Sequence, residues 1–381
     1  MKKIAIIVGD PEVNDAFSLS KEGLKLRPWL QNVPKNLISD MRLEYKILTN
    51  SGNQNIVRKT VENVVNLYYS VYLYLIYRLE KNKNNGTTVS LIFPKDITYN
   101  KLKGFDFIFY NFFDPIAAAV LYNDPNKGLQ MERLLKKLGP KTFLIPSTKF
   151  TDLQHDKCKY YKYLSDSGIP IAPTHCLSKQ DWPKDSASKQ AVCKKLVALF
   201  KKEKWSRVFV KPVMGTSGTD ADELEDPTDT SELLSVISDL FKKKYPKIVF
   251  QKFIAKFAIH PNPEIKMYYV GDSYVYSVVM DDRQASASLK QEGGTYSIKG
   301  STLVQAKKLA AKVIKAIKPL FNGHLLLTRI DIGCCVKGKH FVNEIEYAPG
   351  FYTSFIKGDE KFMIDSLIGD QMLKIIRSNK K

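Results

Sequence analysis

The sequence predicts an α/β protein: an open parallel sheet covered by helices over residues 1–148, followed by a mixed α+β half. Three observations predict it. In the first part, short apolar runs alternate with helical stretches, the pattern of a parallel sheet covered on its faces. In the second part, a pair of apolar runs meets at Gly271–Asp272, a turn signal that marks a hairpin. Near the C-terminus two more runs, RIDIG at 329–333 and NEIEYAPGF at 343–351, carry carboxylates at alternate positions.

The elements follow in order. Residues 2–8, KKIAIIV, read as a buried strand that ends in the Gly9–Asp10–Pro11 turn. Further strands are expected at 43–49, 88–93, 105–112 and 142–146, with helices between them, notably 57–82 and 115–138. The stretch VVNLYYSVYLYLIY at 64–77 is shorter than a membrane-spanning helix and is interrupted by Asn66 and Ser70, so a buried helix is expected there. Phe112–Phe113–Asp114–Pro115 follows a strand and opens an apolar helix. That is the carboxyl end of a parallel strand, where such sheets bind ligands. The unit ends near Pro146–Ser147.

Residues 156–168 form a Lys/Tyr-rich helix that stops at Gly168 and runs into IPIAPT. RVFVKP at 207–212 reads as a strand leading into GTSGTDADELED, and IVFQKFI at 248–254 as another. Residues 265–281 read as the hairpin, 282–300 as a polar loop with glycines, and 302–321 as an amphipathic helix. A turn through Val336–His340 makes the two acidic strands antiparallel neighbours.

A strand sends residues two apart to the same face, so Glu344 and Glu346 point the same way, and Arg329 shares a face with Asp331. Adjacent like charges are costly unless a cation lies between them. The flanks LLLTRIDIG and HFVNEIEYAPG are too apolar for an exposed edge, and buried charges must be paired or metal-bound. Oxygen ligands of this kind suit Mg²⁺.

The bulk numbers set limits. A chain of 381 residues, 44% apolar and 26% charged, suits two or three packed soluble domains. The five cysteines, Cys158, Cys176, Cys193, Cys334 and Cys335, show no CxxC spacing and no even disulfide framework. That predicts a reducing compartment and a cytoplasmic protein without disulfides. The histidines are scattered and form no zinc motif. MKKIAIIVGD has an apolar run only a strand long, so no signal peptide is expected, and no membrane association. The net charge is +20, with lysines clustered at 194–204 and 242–247. Solvated helix faces explain the clusters. Nucleic-acid binding through a basic surface is not favoured, since no RNA-binding aromatic signature or helix-turn-helix pattern accompanies them. A polyanionic substrate is a third reading. The sequence does not reveal an oligomeric state.

Taken in order, Asp156–Lys157 with KYLSDSGIPIAPT, FVKPVMGTSGT, FQKFI, EIKMYYVGD and the acidic strands resemble the ATP-grasp fold over roughly residues 150–355. The resemblance is closest to the D-alanine–D-alanine ligase-like carboxylate–amine ligases. It implies an open α/β domain over 1–148, a central ATP-grasp subdomain over 149–255 and a C-terminal subdomain over 256–381 that carries the metal site. It implies ATP and Mg²⁺ as cofactors. Lys157 and Lys211 would reach the nucleotide phosphates, with Lys159 or Lys162 as alternatives to Lys157. Gly215, Thr216, Ser217 and Gly218 would fold backbone N–H groups over phosphate oxygens. Gln251, Lys252, Phe253 and Ile254 would meet the adenine edge. Glu264 and Lys266 would lie near the ribose and phosphates. An acidic ribose ligand expected near Ala258 is absent, and Glu264 is the substitute.

In the same resemblance Asp331, Glu344 and Glu346 would hold Mg²⁺, with Glu346 standing where an asparagine is usual. Arg329 would stabilise a tetrahedral intermediate, and Phe351–Tyr352–Thr353–Ser354 would shape the acceptor site. The implied activity is ATP-dependent joining of a small carboxylate to an amine through an acyl phosphate. An inositol-phosphate kinase of related fold is the rival, and EIEYAPGF and IKMYYVGD resemble that family too. Its histidine after the glycine loop is absent, because positions 219–223 read Thr-Asp-Ala-Asp-Glu. A non-enzymatic nucleotide-binding protein with a basic surface is the third possibility.

Overall fold

A computed structural model describes residues 2–9, 16–18, 25, 27–35, 37, 43–47, 57–61, 64–82, 86–116, 125–139, 142–215, 218–254, 263–280, 300–334, 339–351 and 363–379. In chain order the first part holds β1 (Lys2–Val8), β2 (Ala16–Ser18), β3 (Leu43–Ile47), β4 (Val57–Val61), β5 (Val64–Asn66), α1 (Leu67–Lys81), β6 (Thr87–Ile92), β7 (Phe107–Phe112), α2 (Pro125–Lys137) and β8 (Phe143–Ile145). The sheet order is β6-β1-β7-β8, and every pairing is parallel. β1 is buried from Ile4 to Val8 and β7 along its whole length, because they are central and covered on both faces.

Two expectations are corrected here. The helix expected over 57–82 starts only at Leu67. Val57, Thr60, Val61, Val64 and Val65 are β-branched, which disfavours a helix and suits a strand, and they form β4 and β5 instead. Asn66 then caps α1, its side chain accepting from the Tyr68 N–H. The strand expected at 43–49 exists as β3 but pairs antiparallel with β4, outside the parallel sheet.

α1 is buried along most of its length, as its composition requires. It packs on α8 (Ile364–Ser378), the last helix in the chain. Gly369 permits the close crossing: a Cβ there would lie 2.4 Å from a ring carbon of Tyr74. Arg27 and Ser70 both donate to the buried Asp365 carboxylate, so the contact has a polar anchor as well.

The central part holds α3 (Thr148–Gln154), α4 (Lys157–Asp166), β9 (Thr174–Ser178), α5 (Ser186–Lys202), β10 (Val208–Pro212), β11 (Asp222–Leu224), α6 (Thr230–Lys242) and β12 (Lys247–Lys252). Its antiparallel sheet has the order β11-β10-β12-β9. α5 buries Cys193, Val197 and Phe200, and leaves Lys194, Lys195, Lys201 and Lys202 in solvent, which accounts for that lysine cluster.

The last sheet holds β13 (Glu264–Val270), β14 (Ser273–Met280), β15 (Leu327–Cys334) and β16 (His340–Glu346), in the order β14-β13-β15-β16, all antiparallel. α7 (Ser301–Ile317) covers it with Ala306, Leu309, Ala310, Val313, Ile314 and Ile317. Ile171, in the IPIAPT extension, bridges to Val342, so the chain leaving α4 rides along the outer edge of β16. The expected loop at 282–300 lies outside the described residues except for Gly300.

A disulfide joins Cys158 on α4 to Cys176 on β9 across a Cα–Cα distance of 6.2 Å. This overturns the expectation of a chain without disulfides, and with it the cysteine argument for a reducing compartment. The partners lie 18 residues apart on a helix and a strand that only the fold brings together. Cys193 and Cys334 are buried. No helix among the described residues is long and apolar enough to cross a membrane.

Candidate active site

Strand register builds the site. Asp331 on β15 faces Glu344 on β16, and Arg329 faces Glu346. Alternation puts all four side chains on one face. Asp331, Glu344 and Glu346 each offer an oxygen, and these oxygens lie within 4.8 Å of one another. The set is all carboxylate, held on two hydrogen-bonded strands, and its donor chemistry fits a hard divalent cation such as Mg²⁺.

Cationic side chains ring the cluster. Arg329 reaches both oxygens of Asp331, Nε at 2.7 Å and Nη2 at 2.9 Å, and its Nη2 also donates to Glu346 at 2.6 Å. Lys266, from β13, donates to Asp331 at 2.9 Å and lies 3.1 Å from Glu264. Lys157, at the first turn of α4, lies 3.0 Å from Glu344 and donates to the Gly215 carbonyl at 3.1 Å. The Asp156 side chain caps α4 on the Lys159 N–H and also pairs with Lys247, which fixes where the helix starts.

The electrostatics divide the carboxylates. Burial favours the neutral form of Asp331, but Arg329 and then Lys266 outweigh it and hold its carboxyl below the usual range. Glu344 is likewise held low, burial being outweighed by Lys157 and then Lys211. Glu346 goes the other way. Burial pushes it up to about 8 against the pull of Arg329, and repulsion from Glu344 and Asp331 adds to the rise. Of the three, Glu346 is the one that holds a proton most readily. Lys157 keeps its charge because Glu344 more than offsets the cost of burial.

The second wall comes from the central sheet. Lys211 on β10 faces Val249, and Gln251 faces Phe209, so Lys211 and Gln251 share a face diagonally. Lys211 donates to Tyr161 Oη at 3.0 Å and to Gln251 Oε1 at 3.1 Å. The Gln251 amide is thereby turned to Lys211 on one side and to Thr174 Oγ1 on the other. Beyond it, the Lys252 N–H bonds the Pro173 carbonyl and the Phe253 N–H bonds the Arg207 carbonyl, while the Arg207 guanidinium stacks 4.1 Å above the Phe253 ring. Ile254 is half-buried at the end of this linker. Gly215 and Gly218 flank the glycine loop; Thr216, Ser217, Ala258 and residues 352–354 lie outside the described residues.

Two groups in or beside the site were not singled out from the sequence. Tyr161 lies one helical turn after Lys157, so spacing on the Lys/Tyr-rich helix gives the shared face but not the contact with Lys211, 50 residues away. A second group joins Glu132, His155 and Tyr347 to Asp114, which lies in the Phe112–Pro115 loop expected at a ligand-binding strand end. His155 contacts Glu132 at 3.2 Å through Nδ1, and Tyr347 and Asp114 at 3.1 and 3.3 Å through Nε2. These residues come from four separate segments, so no local pattern announces them.

By sequence, no family model and no curated protein matches the chain. Solved structures do match. The D-cycloserine synthetase DcsG superposes with a TM-score of 0.56 at 13% identity, covering 97% of this chain and 100% of that one. The D-alanine–D-alanine ligase of Bacillus anthracis complexed with ATP gives 0.50 at 13% identity, covering 100% of both chains. The VanG D-Ala:D-Ser ligase of Enterococcus faecalis gives 0.51 at 16% identity, covering 97% and 99%. The chain has the ATP-grasp fold of these proteins.

Proposed function

We propose that the chain is an ATP-dependent carboxylate–amine ligase. One observation carries the reading: three carboxylates converge on one strand face, and lysines from two other elements, Lys157 and Lys211, stand beside them. Hard oxygen ligands with ammonium groups directly beside them suit a metal–polyphosphate pair. The ATP-bound structural neighbour, a ligase, and the synthetase and ligase names of the others support the same reading.

In this proposal residues 149–255 and 256–381 are the two halves that hold the nucleotide, with residues 1–148 closing the acceptor side. Asp331, Glu344 and Glu346 would hold Mg²⁺, which when bound offsets phosphate charge. Lys157 and Lys211 bind phosphate oxygens, and residues 215–218 cover them. Lys252–Ile254 meet the adenine edge, and Glu264, fixed by Lys266 and Asn343, takes the ribose. The substrate carboxylate attacks the γ-phosphorus, and ADP leaves. An amine then attacks the acyl phosphate, loses a proton and expels phosphate. Arg329, anchored by Asp331 and Glu346, donates to the oxyanion formed in that second step. Loss of such a donor typically costs roughly 2.7–4 kcal/mol.

The test is ADP release from Mg-ATP, screened against amino acids, polyamines, small peptides and inositol phosphates. Release that needs both a carboxylate and an amine supports the ligase. Phosphate transfer to an inositol phosphate, with no amine required, makes the protein a kinase instead.

A further inference from the structure

Three lysines face the carboxylate cluster, and they are held in different ways. Lys157 pairs with Glu344, and Lys266 with Asp331 and Glu264. Lys211 makes no salt bridge among the described residues. Its ammonium rests on two neutral oxygens, Tyr161 Oη at 3.0 Å and Gln251 Oε1 at 3.1 Å. An ammonium has three donors, so these two bonds leave one for a ligand.

The two neutral partners are themselves fixed. The Tyr161 hydroxyl donates to the Asn343 carbonyl at 2.9 Å. That uses its only proton and leaves an oxygen lone pair for Lys211. The ring is fully buried against Tyr160, with centroids 4.3 Å apart. Gln251 is held from behind by Thr174, whose hydroxyl bonds the Ala172 carbonyl. Asn343 immediately precedes Glu344. The chain Lys211 to Tyr161 to Asn343 therefore spans from the central sheet, through α4, to the strand that carries Glu344 and Glu346.

We infer that Tyr161 is a positioning residue that holds the Lys211 ammonium in place for phosphate without neutralising it. The inference rests on the nucleotide site proposed above. A carboxylate in the place of Tyr161 would fix the lysine equally well but would cancel the charge that a phosphate needs. A hydroxyl fixes it and adds no counter-charge to the field that Glu344 already exerts. A lysine stem is flexible, so ordering it before the nucleotide arrives removes part of the ordering cost of binding. Tyr161 sits on the same helix face as Lys157, so one element sets the placement of both phosphate lysines.

Tyr161→Phe keeps the ring and its packing and removes only the hydroxyl. Mg-ATP affinity, by calorimetry, should fall roughly tenfold, the usual effect of losing one hydrogen bond to a charged group. Adenosine affinity, by NMR titration, should not change, because adenosine has no phosphate for Lys211 to reach. The thermal midpoint should stay near that of the wild type. Without nucleotide, the Lys211 ¹⁵Nζ signal, assigned with Lys211→Arg, should show a more mobile ammonium in the variant. Equal losses for ATP and adenosine would make Tyr161 a support of the whole cleft and overturn the inference. Unchanged ATP affinity and unchanged Nζ mobility would overturn it too, and would leave the nucleotide site standing. A wild-type protein that binds no ATP would remove the site itself and the inference with it.

Discussion

Glu346 stands opposite Arg329 and accepts a hydrogen bond from it, yet its carboxyl is pushed up from 4.5 to about 8, by burial first and by repulsion from Glu344 and Asp331. The unfolded chain releases this proton near 4.5 and the folded chain keeps it to about 8. Between those values the folded state binds more protons, so stability falls as pH rises through the window. Glu346→Gln, compared with wild type in chelator by denaturant titration, should remove that fall and be more stable by a few kcal/mol (order of magnitude) at pH 8. Parallel stability curves across pH 4.5–8 would contradict it. Lys211→Ala should weaken Mg-ATP binding by at least roughly 1.5–3 kcal/mol, the worth of a charge-assisted hydrogen bond, with the melting point little changed. Unchanged affinity by calorimetry would remove Lys211 from the site. The carboxylates and these lysines were legible because a strand's period of two and a lysine at the end of an apolar strand leave few ways to satisfy them. Tyr161 was not legible, because its role depends on a neutral contact with a strand 50 residues away.

At the scale of elements, α4 is fastened to β9 by Cys158–Cys176, next to Lys157 on one side and two strands from Lys211 on the other. Closing a loop of this size contributes about 3 kcal/mol in the chain-entropy picture. Cys158→Ser with Cys176→Ser, or reduction of the wild type, should lower the unfolding free energy by about that amount. A double variant as stable as wild type under oxidising conditions would show that the bond does not form in solution. The acidic strands, the hairpin about Gly271–Asp272 and α7 could be read in advance because period and turn residues agree there. The 57–66 stretch could not, because the apolar run of α1 begins directly after it and the two merged into one helix. The disulfide was illegible for the same reason as Tyr161: its partners meet only in the fold.

At the scale of the whole molecule, His155 clasps the first sheet to the acidic strand. Asp114 follows β7, Glu132 lies on α2, and Tyr347 directly follows Glu346. Burial works against the His155 charge, but Asp114 and then Glu132 outweigh it and push its pKa from 6.5 to about 9. The clasp's contribution is fully present below 6.5 and is lost as pH rises through about 9. His155→Gln should cost about 3 kcal/mol near neutral pH, and the gap from wild type should close above pH 9. A gap that does not change with pH would mean that packing, not charge, holds the join. The central claim concerns chemistry at the carboxylate cluster, and ADP release by the wild-type protein tests it most directly. With Mg-ATP and the substrate panel, ADP should appear only when a carboxylate and an amine are both present. Hydroxylamine should replace the amine and yield a hydroxamate, and Lys211→Ala should abolish the signal. ADP release driven by an inositol phosphate alone, with a phosphorylated product and no hydroxamate, would contradict the account.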